Sequence, residues 1–254
     1  MENSDAKTSD AKTSEFKDSN LKNIVLSKKT NVILSLDVSC KTSFFTILTL
    51  CAPYICGVKI HSDIYSFSSD NFYKRLTVLS EKDNFIIIED RKLADIGNTN
   101  KLQVEEFNKK HIHYFTSHCI MGEEAISSIP THSKLFLITD MSCNNTFFKE
   151  FESTLQKISH NYFENYANVI GFVSQKNHDP INNSIPFILR PGVRIPESFK
   201  TSMKDKYGQQ YKIPSVTPGV LWVIGREIIH SKTPVKTIQK YQQLFMNNIE
   251  KWDK

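Results

Sequence analysis

The sequence predicts a (β/α)₈ barrel on three observations. Eight short apolar runs alternate with amphipathic stretches over roughly 240 residues, which is the size and rhythm of eight successive βα units. The G-x-G-x-x-G turn of a doubly wound open sheet, the alternative α/β fold, is absent from the sequence. Charged residues directly follow several of the apolar runs, as expected where barrel strands end at one rim.

The first 14 residues are predicted to be a disordered tail. They contain a doubled DAKTS and almost no apolar side chain, so burial cannot offset the entropy lost on ordering them. We expect a single barrel domain over residues 15–254.

The predicted strands are short apolar runs bounded by polar residues. In chain order they cover residues 32–36, 55–60, 85–89, 113–116, 135–139, 169–173, 187–189 and 221–224. Between them, apolar residues at spacings of three and four predict helices over 42–50, 72–79, 102–109 and 148–158. A last helix is predicted with Thr233 as its N-cap, Pro234 in its first position and an apolar face running to Trp252.

Composition narrows the function classes. The chain has 32 basic and 27 acidic residues and a net charge of +5, without a long block of one sign, so no nucleic-acid partner is indicated. Five cysteines without a C-x-x-C pair support neither a disulfide framework nor a zinc ribbon. A secretory apolar segment is missing from the start, and the most apolar stretch is too short to cross a bilayer. We therefore expect a cytoplasmic protein that does not bind membranes.

The ends of the predicted strands carry the candidate functional residues. They are Asp37, Lys59 to His61, Asp90 to Lys92, Asp140 to Ser142, Arg190 to Gly192, and Gly225 with Arg226. In a barrel these ends meet at one face, where the loops carry the chemistry. Charged groups of both signs are therefore expected to converge there.

The densest group lies in IIIEDRKLADIGNT, residues 86–99. Asp90 and Lys92 are two residues apart, so they point the same way if the strand continues through them. Asp95 follows, and Lys59 ends the neighbouring strand. Alternating signs would let four charges share one partly desolvated site. A D-x-K pattern alone is usually a surface ion-pair network; the strand ends and Gly97, where backbone can approach a ligand or partner closely, favour an active site.

These residues resemble orotidine 5′-phosphate decarboxylase. The resemblance rests on SLDV at 35–38, GVKIHSDI at 57–64, EDRKLADIGNT at 89–99, PGV at 191–193, GQQY at 208–211 and IGR at 224–226, in the family's order from about residue 20 onward. EDRKLADIGNT is close to the fungal and animal form of the family signature. The resemblance implies a dimeric (β/α)₈ barrel, without metal or organic cofactor, that converts orotidine 5′-monophosphate to UMP and carbon dioxide, the last step of de novo pyrimidine synthesis.

The same resemblance implies roles for individual residues. Lys59, Asp90, Lys92 and Asp95 would form the catalytic charge array, with Lys92 as proton donor. Asp95, Ile96 and Thr99 would come from the partner subunit of a homodimer. Asp37 and Lys59 would hold the ribose hydroxyls, and Ser142 would contact the pyrimidine edge. The phosphate would be held by Gln209, Tyr211, Gly225 and Arg226, while Pro191 and His61 would line the pocket.

The sequence departs from the family pattern on the phosphate side. Arg190 replaces a common threonine, Glu227 follows Arg226 where many members have glycine, and residues 217–222 replace the usual Gly-x-Asp approach to the last strand. The loop from Arg194 to residue 207 also lacks the family's glycine and acidic pattern. These changes are expected to affect substrate affinity more than reaction type.

The sequence also allows three other hypotheses. His111, His113, His118 and Cys119 could be drawn as a metal site, although strand-edge histidines are usually satisfied by hydrogen bonds. A nucleotide-binding homologue without turnover could act as a sensor or partner protein, although the complete charge array argues against it. A related barrel decarboxylase acting on a sugar phosphate would keep a D-x-K-x-x-D array and use magnesium.

Overall fold

Eight parallel strands close into a barrel at the centre of the computed structural model, which describes residues 15–142, 146–195, 209 and 211–252. Outside the barrel, β1 (Glu15–Phe16) and β8 (Ser184–Ile185) pair in a separate parallel sheet. Around the barrel the strands are β2 (Val32–Ser35), β3 (Gly57–Ile60), β4 (Ile86–Leu93), β5 (Tyr114–His118), β6 (Lys134–Ile138), β7 (Val169–Val173), β9 (Phe187–Pro191) and β10 (Val220–Ile224), which pairs with β2. The predicted fold and all eight predicted strands are confirmed, whereas the predicted tail lies outside the described residues.

Helices cover the outside of the barrel. They are α1 (Ser19–Lys28), α2 (Lys41–Cys51), α3 (Asp70–Asp83), α4 (Gly97–Asn108), α5 (Glu124–Ser127), α6 (Thr146–Glu150), α7 (Glu152–Asn165), α8 (Arg226–Ile229) and α9 (Pro234–Met246). The predicted helices 42–50, 72–79 and 102–109 correspond to α2, α3 and α4. The single helix predicted over 148–158 is wrong, because the chain breaks at Phe151 into α6 and α7.

The final helix begins as predicted, with Thr233 in the N-cap position, and ends earlier than predicted. Pro234 is its first residue, but the side chain of Thr233 makes no capping hydrogen bond. The helix ends at Met246, and a short 3₁₀ turn at Ile249–Lys251 then returns Trp252 to the core. The predicted apolar face is thus formed by a helix and a turn together.

The strands are apolar because both of their faces are buried. All residues of β2 and β10 are buried, since inward side chains fill the barrel and outward ones pack under the helices. This explains why continuous apolar runs, rather than alternating patterns, identified the strands.

Two further observations bear on the compositional expectations. Among the helices that the structure describes, none combines the length and the apolar character needed to span a membrane. Cys40 is exposed, Cys51, Cys56 and Cys119 are buried, and all four are free thiols; Cys143 lies outside the described residues.

Candidate active site

A cavity of about 450 Å³ opens at the carboxyl ends of the barrel strands. Ten of the predicted site residues line it: Asp37, Lys59, Asp90, Lys92, Ser142, Pro191, Gln209, Tyr211, Gly225 and Arg226. Four others, His61, Asp95, Ile96 and Thr99, are not among its lining residues. The strand ends thus gather most of the predicted set in one pocket.

A carboxylate between two ammonium groups forms the charged end of the pocket. Asp90 Oδ2 lies 2.6 Å from Lys59 Nζ, and Asp90 Oδ1 lies 2.9 Å from Lys92 Nζ. Lys59 comes from β3 and the other two residues from β4, whose strands are paired in register at Lys59 and Ile88. The array therefore depends on two neighbouring strands ending at the same level.

Lys92 reaches the pocket through an irregular backbone. Its φ is +52°, in the left-handed region that side chains other than glycine seldom adopt, and the pairing of β4 with β5 shifts register between Glu89 and Leu93. The strand therefore continues irregularly from Asp90 to Lys92, yet both side chains line the same pocket. A bulge at this point aims Lys92 at the cavity.

Thr116, on β5, holds this irregular segment. Its hydroxyl donates to Asp90 Oδ1 at 2.7 Å and accepts from the backbone N–H of Lys92 at 3.0 Å. Sequence reasoning did not select Thr116 as a site residue. Its place at the end of the predicted fourth strand, 113–116, was the available signal.

The surroundings of Asp90 keep it ionised. Burial by itself would raise the pKa of Asp90, but the charge of Lys59, the hydrogen bond from His61 and the charge of Lys92 together hold that pKa well below its usual range. With Thr116 donating as well, the carboxylate has a partner on each side. Asp90 is thus a fixed negative charge beside two fixed positive ones.

His61 connects Asp90 to the second carboxylate of the site. Its Nδ1 is 2.8 Å from Asp37 Oδ1 and its Nε2 is 3.0 Å from Asp90 Oδ2. Burial lowers the pKa of His61, but hydrogen bonds to Asp37 and Asp90 outweigh it and raise the pKa. Burial likewise opposes ionisation of Asp37, yet the hydrogen bond from His61 and the charge of Lys59 lower its pKa to about 2.

Glu89 lies next to the array but is not part of it. Its side chain is buried and accepts hydrogen bonds from the backbone N–H of Ser62, at 3.1 Å, and from the Ser62 hydroxyl. Burial raises the pKa of Glu89 to about 7 despite these hydrogen bonds. The residue fixes the chain just after His61.

The far end of the pocket carries hydrogen-bond donors and an arginine. Arg226 follows β10 and its guanidinium donates to Gln209 Oε1, while Gln209 Nε2 reaches the Ser142 hydroxyl at 3.5 Å. Tyr211 is buried at the same wall. Gly208 and Gln210 of the predicted GQQY motif lie outside the described residues. This end suits an anion, because Arg226 is cationic and Gln209, Tyr211 and Ser142 can donate hydrogen bonds.

The segment after β4 faces away from the protein's own cavity. The structure leaves Asp95 and Ile96 exposed, with Ile96 at 68% of its full accessibility, and Thr99 partly exposed. Gly97 is buried, and a Cβ there would come within 2.6 Å of the Glu124 carbonyl oxygen, so glycine is needed for α4 to pack against α5.

The geometry does not support two of the hypotheses drawn from the sequence, the histidine metal site and a place for Arg190 in the pocket. His113 precedes β5 and bonds Asn108 at 3.0 Å, whereas His118 ends the same strand and stacks on Phe148, so the histidines drawn as a metal site do not converge. Arg190 is buried but does not line the pocket; its guanidinium donates to Asn177 Oδ1 at 2.7 Å.

Among the other lining residues that sequence reasoning did not place in the site, three are ionisable: Arg194, Glu227 and His230. Arg194 and Glu227 both lie where the sequence differs from the family pattern, and this difference was the signal that could have identified them.

The chemistry of the site follows from its two ends. One end holds two ammonium groups around a buried carboxylate, where developing negative charge would be stabilised by cations already in place. The other end suits binding of an anionic group. The pocket therefore suits a ligand with an anionic group at one end and a group that develops negative charge at the other.

Comparisons with known proteins agree with this geometry. The family model described as Orotidine 5'-phosphate decarboxylase / HUMPS family matches residues 30–241. An orotidine 5'-phosphate decarboxylase of Aspergillus awamori is 29% identical over 249 residues, which cover 88% of this chain and 87% of that protein. A uridine 5'-monophosphate synthase of Caenorhabditis elegans is 26% identical over 247 residues, 91% of this chain; the chain spans about half of that relative, 48%.

A solved structure has the same fold. The orotidine 5'-monophosphate decarboxylase of Methanocaldococcus jannaschii, complexed with the inhibitor BMP, superposes with a TM-score of 0.62 at 17% identity, covering 86% of this chain and 99% of that one.

Proposed function

The chain belongs to the orotidine 5'-phosphate decarboxylase / HUMPS family, and from this premise we propose that it decarboxylates orotidine 5′-monophosphate to UMP and carbon dioxide, the last step of de novo pyrimidine synthesis. The observation that carries the proposal is the Lys59, Asp90 and Lys92 array at one end of a pocket whose other end holds Arg226 and Gln209. The array matches the reacting carbon of this substrate and the far end matches its phosphate.

The reaction needs a cation beside the reacting carbon. When the bond from C6 of the orotate ring to the carboxylate breaks, its electron pair stays on C6 in an orbital in the ring plane, where the π-system cannot delocalise it. The ammonium group of Lys92 stabilises that carbanion and then transfers a proton to it, forming the C6–H bond of UMP. Lys92 regains its proton from solvent.

Asp90 acts on the ground state. Its carboxylate, kept ionised by its neighbours, would lie near the substrate carboxylate that leaves. At ~4 Å and an effective dielectric of ~20, two like charges repel by about 4 kcal/mol. Departure of carbon dioxide relieves that repulsion, while Lys59 and Lys92 remain to hold Asp90.

The other pocket residues bind and orient the substrate. We assign Asp37 and Lys59 to the ribose hydroxyls, with His61 fixing Asp37, and Ser142 to the pyrimidine edge. Gln209, Tyr211, Gly225 and Arg226 hold the phosphate, and Pro191 lines the wall. Because the phosphate is far from C6, its binding energy can be used to place C6 against Lys92.

We further propose a homodimer in which Asp95, Ile96 and Thr99 complete the partner's site. The exposed position of Asp95 supports this assignment. Large apolar side chains are also exposed on the segments that follow three neighbouring strands, β3, β4 and β5: Ile64, Ile96, Leu102, Ile120 and Met121. Exposed apolar side chains on segments that follow adjacent strands are consistent with a protein interface on this side of the barrel.

Mixing inactive variants tests the shared site. Asp95→Ala and Lys59→Ala proteins should each be inactive, and random exchange of subunits should restore roughly a quarter of wild-type activity, because half of the dimers would carry one intact site of two. The control is a mixture of Lys59→Ala with Lys92→Ala, which should stay inactive. A monomer in analytical ultracentrifugation, or no recovery after exchange, would refute sharing.

Cofactor independence, location and domain extent belong to the same proposal. We propose that residues 15–254 form one catalytic domain that acts without metal or organic cofactor. A cytoplasmic location is supported by the free thiols of Cys40, Cys51, Cys56 and Cys119, the state that a reducing compartment maintains.

One assay tests the activity itself. The ultraviolet absorbance of orotidine 5′-monophosphate should change as UMP forms, at the same rate with and without EDTA. Tight UMP binding without turnover would favour a nucleotide-binding homologue instead. Loss of activity in EDTA, or inertness to the pyrimidine, would favour a related decarboxylase that acts on a sugar phosphate with magnesium.

A further inference from the structure

A second arginine lines the pocket near Arg226. The backbone N–H of Arg194 donates to the carbonyl oxygen of Lys212 at 2.9 Å, which holds Arg194 beside the neighbouring residue Tyr211. The Arg194 guanidinium carbon lies 4.2 Å from the centre of the Tyr211 ring, a cation–π contact. Arg194 thus stands against a residue that we assign to the phosphate.

Glu227 orients this arginine. Arg194 Nε is 3.4 Å from Glu227 Oε2, and the same oxygen accepts a hydrogen bond of 2.6 Å from the Tyr241 hydroxyl. The Tyr241 hydroxyl in turn accepts from the backbone N–H of Ile195 at 3.1 Å. Burial, and then the charge of Glu227, raise the pKa of Tyr241, so the phenol keeps its proton and remains a donor.

The guanidinium is the more accessible partner of this pair. The side chain of Arg194 is 24% exposed, compared with 12% for Glu227. Arg194 Nε is the buried nitrogen that faces Glu227, so the donors left for a ligand are those on the two terminal nitrogens. A guanidinium has five N–H donors, so this arginine has donors to offer to a ligand in the cavity.

We propose that Arg194 is a second cationic contact for the 5′-phosphate of the substrate, presented by Glu227 and Tyr241. The inference rests on the proposed function, because it needs a phosphate monoester at this end of the pocket. Such a group carries close to two negative charges at neutral pH, which Arg226 alone does not balance. Glu227 offsets the positive charge of Arg194 while the pocket is empty, so that two arginines can share one wall.

Binding of UMP and of uridine to Arg194→Gln protein tests the proposal. A charge-assisted contact to phosphate is worth about 10- to 100-fold in affinity, so calorimetry should show UMP binding weakened by that factor and uridine binding unchanged within about 2-fold. Arg194→Lys should lose less affinity for UMP, since lysine keeps the positive charge but lacks the planar guanidinium that can donate two parallel hydrogen bonds. In the decarboxylation assay the loss should appear in kcat/KM, because the phosphate contact also helps to place C6 against Lys92.

Arg75→Gln is the matched control. Arg75 also lies over an aromatic ring, at 4.0 Å from the centre of Phe45, but it belongs to α3 and does not line the pocket. This variant should bind UMP as the wild type does.

The outcomes separate this inference from the proposed function. Unchanged UMP binding by Arg194→Gln protein, equal losses for UMP and uridine, or a wild-type protein that binds UMP no better than uridine would each overturn the role of Arg194. A wild-type protein that binds UMP but does not decarboxylate orotidine 5′-monophosphate would refute the function and leave the phosphate contact supported by the binding data.

Discussion

The two ends of the barrel are formed by the same strands, but one end buries aromatic side chains and the other buries charged ones. At the amino end, Phe16 of β1 stacks on Phe187 of β9 at 4.7 Å and on Trp252 at 5.1 Å, and Phe187 and Trp252 are completely buried. At the carboxyl end, Lys59 and Asp90 are nearly as well buried, but they are charged. Burying aromatic rings stabilises the fold, whereas burying ions costs free energy unless each ion is paired.

This contrast separates stability from activity. Residues at the aromatic end should change the free energy of unfolding and leave turnover alone, and residues of the charge array should do the reverse. Lys92 illustrates the second case, because its left-handed backbone is itself unfavourable and persists where the surrounding bonds hold it.

The largest expected effect is on turnover, from Lys92→Ala. Removing both the fixed cation and the proton donor should lower kcat by at least about 10⁴-fold. Asp90 would keep Lys59, His61 and Thr116 as partners, so the free energy of unfolding should change by no more than about 1 kcal/mol. Stopped assays and urea titrations measure the two quantities.

Lys101→Ala is the control for that experiment. Lys101 is an exposed lysine of α4, paired with Glu105 at 3.8 Å, and it should affect neither quantity. Near-normal turnover of the Lys92→Ala protein would refute the mechanism.

The next effect is on stability, from Trp252→Ala at the aromatic end. Removing this buried ring should lower the free energy of unfolding by about 3–5 kcal/mol, through lost burial and the cavity that remains. Turnover should be unchanged at temperatures where the variant is folded. If kcat fell while the protein remained folded, the two ends would be coupled and the contrast would fail.

A smaller effect concerns pH, through Glu89. In the folded protein burial raises its pKa to about 7, whereas an unfolded glutamate releases its proton near its ordinary value of 4.5. Between these values the unfolded state loses the proton first, so stability should fall by up to about 3 kcal/mol as the pH rises from about 4.5 to 7. Below about pH 4.5 Glu89 is protonated in both the folded and the unfolded state, so it does not contribute to the dependence of stability on pH.

Glu89→Gln removes the titrating group and keeps an oxygen to accept from Ser62. Urea titrations from pH 5 to 8 should show a flatter profile for this variant than for the wild type. If stability depended on pH in the same way in both proteins, Glu89 would ionise near its ordinary pKa. The carboxyl end of the barrel would then carry a further negative charge at neutral pH.

The parts that sequence predicted are those set by local pattern. Strands buried on both faces are continuous apolar runs, and parallel strands bring their carboxyl ends together, so the strand positions and the meeting of Lys59 with Asp90 followed from the sequence. The resemblance added roles for Gln209 and Arg226.

The parts that were missed depend on contacts between distant segments. The break at Phe151 and the bulge at Lys92 need neighbouring elements, and Gly97 is explained by α5, which the sequence did not reveal. Thr116 looked like an ordinary strand residue because nothing local marks its hydroxyl as the partner of Asp90. Long-range hydrogen bonds of this kind are not encoded in periodicity.

Thr116 therefore gives the smallest and most discriminating test of the contrast, since it serves both the fold and the site. Thr116→Val keeps the shape but removes the hydroxyl, which leaves Asp90 with one donor fewer and the Lys92 N–H without its acceptor. We expect unfolding to be easier by about 1 kcal/mol and kcat to fall about 10-fold, because Lys92 would be less firmly placed. Thr116→Ser should recover most of both, and Thr139→Val, which removes a comparable hydroxyl bonded to the Val173 carbonyl at 3.1 Å, should lower stability alone. If Thr116→Val lost stability without losing turnover, the hydrogen bonds of Thr116 would not be needed to position Lys92. Its ion pair with Asp90 would then be what orients the Lys92 side chain.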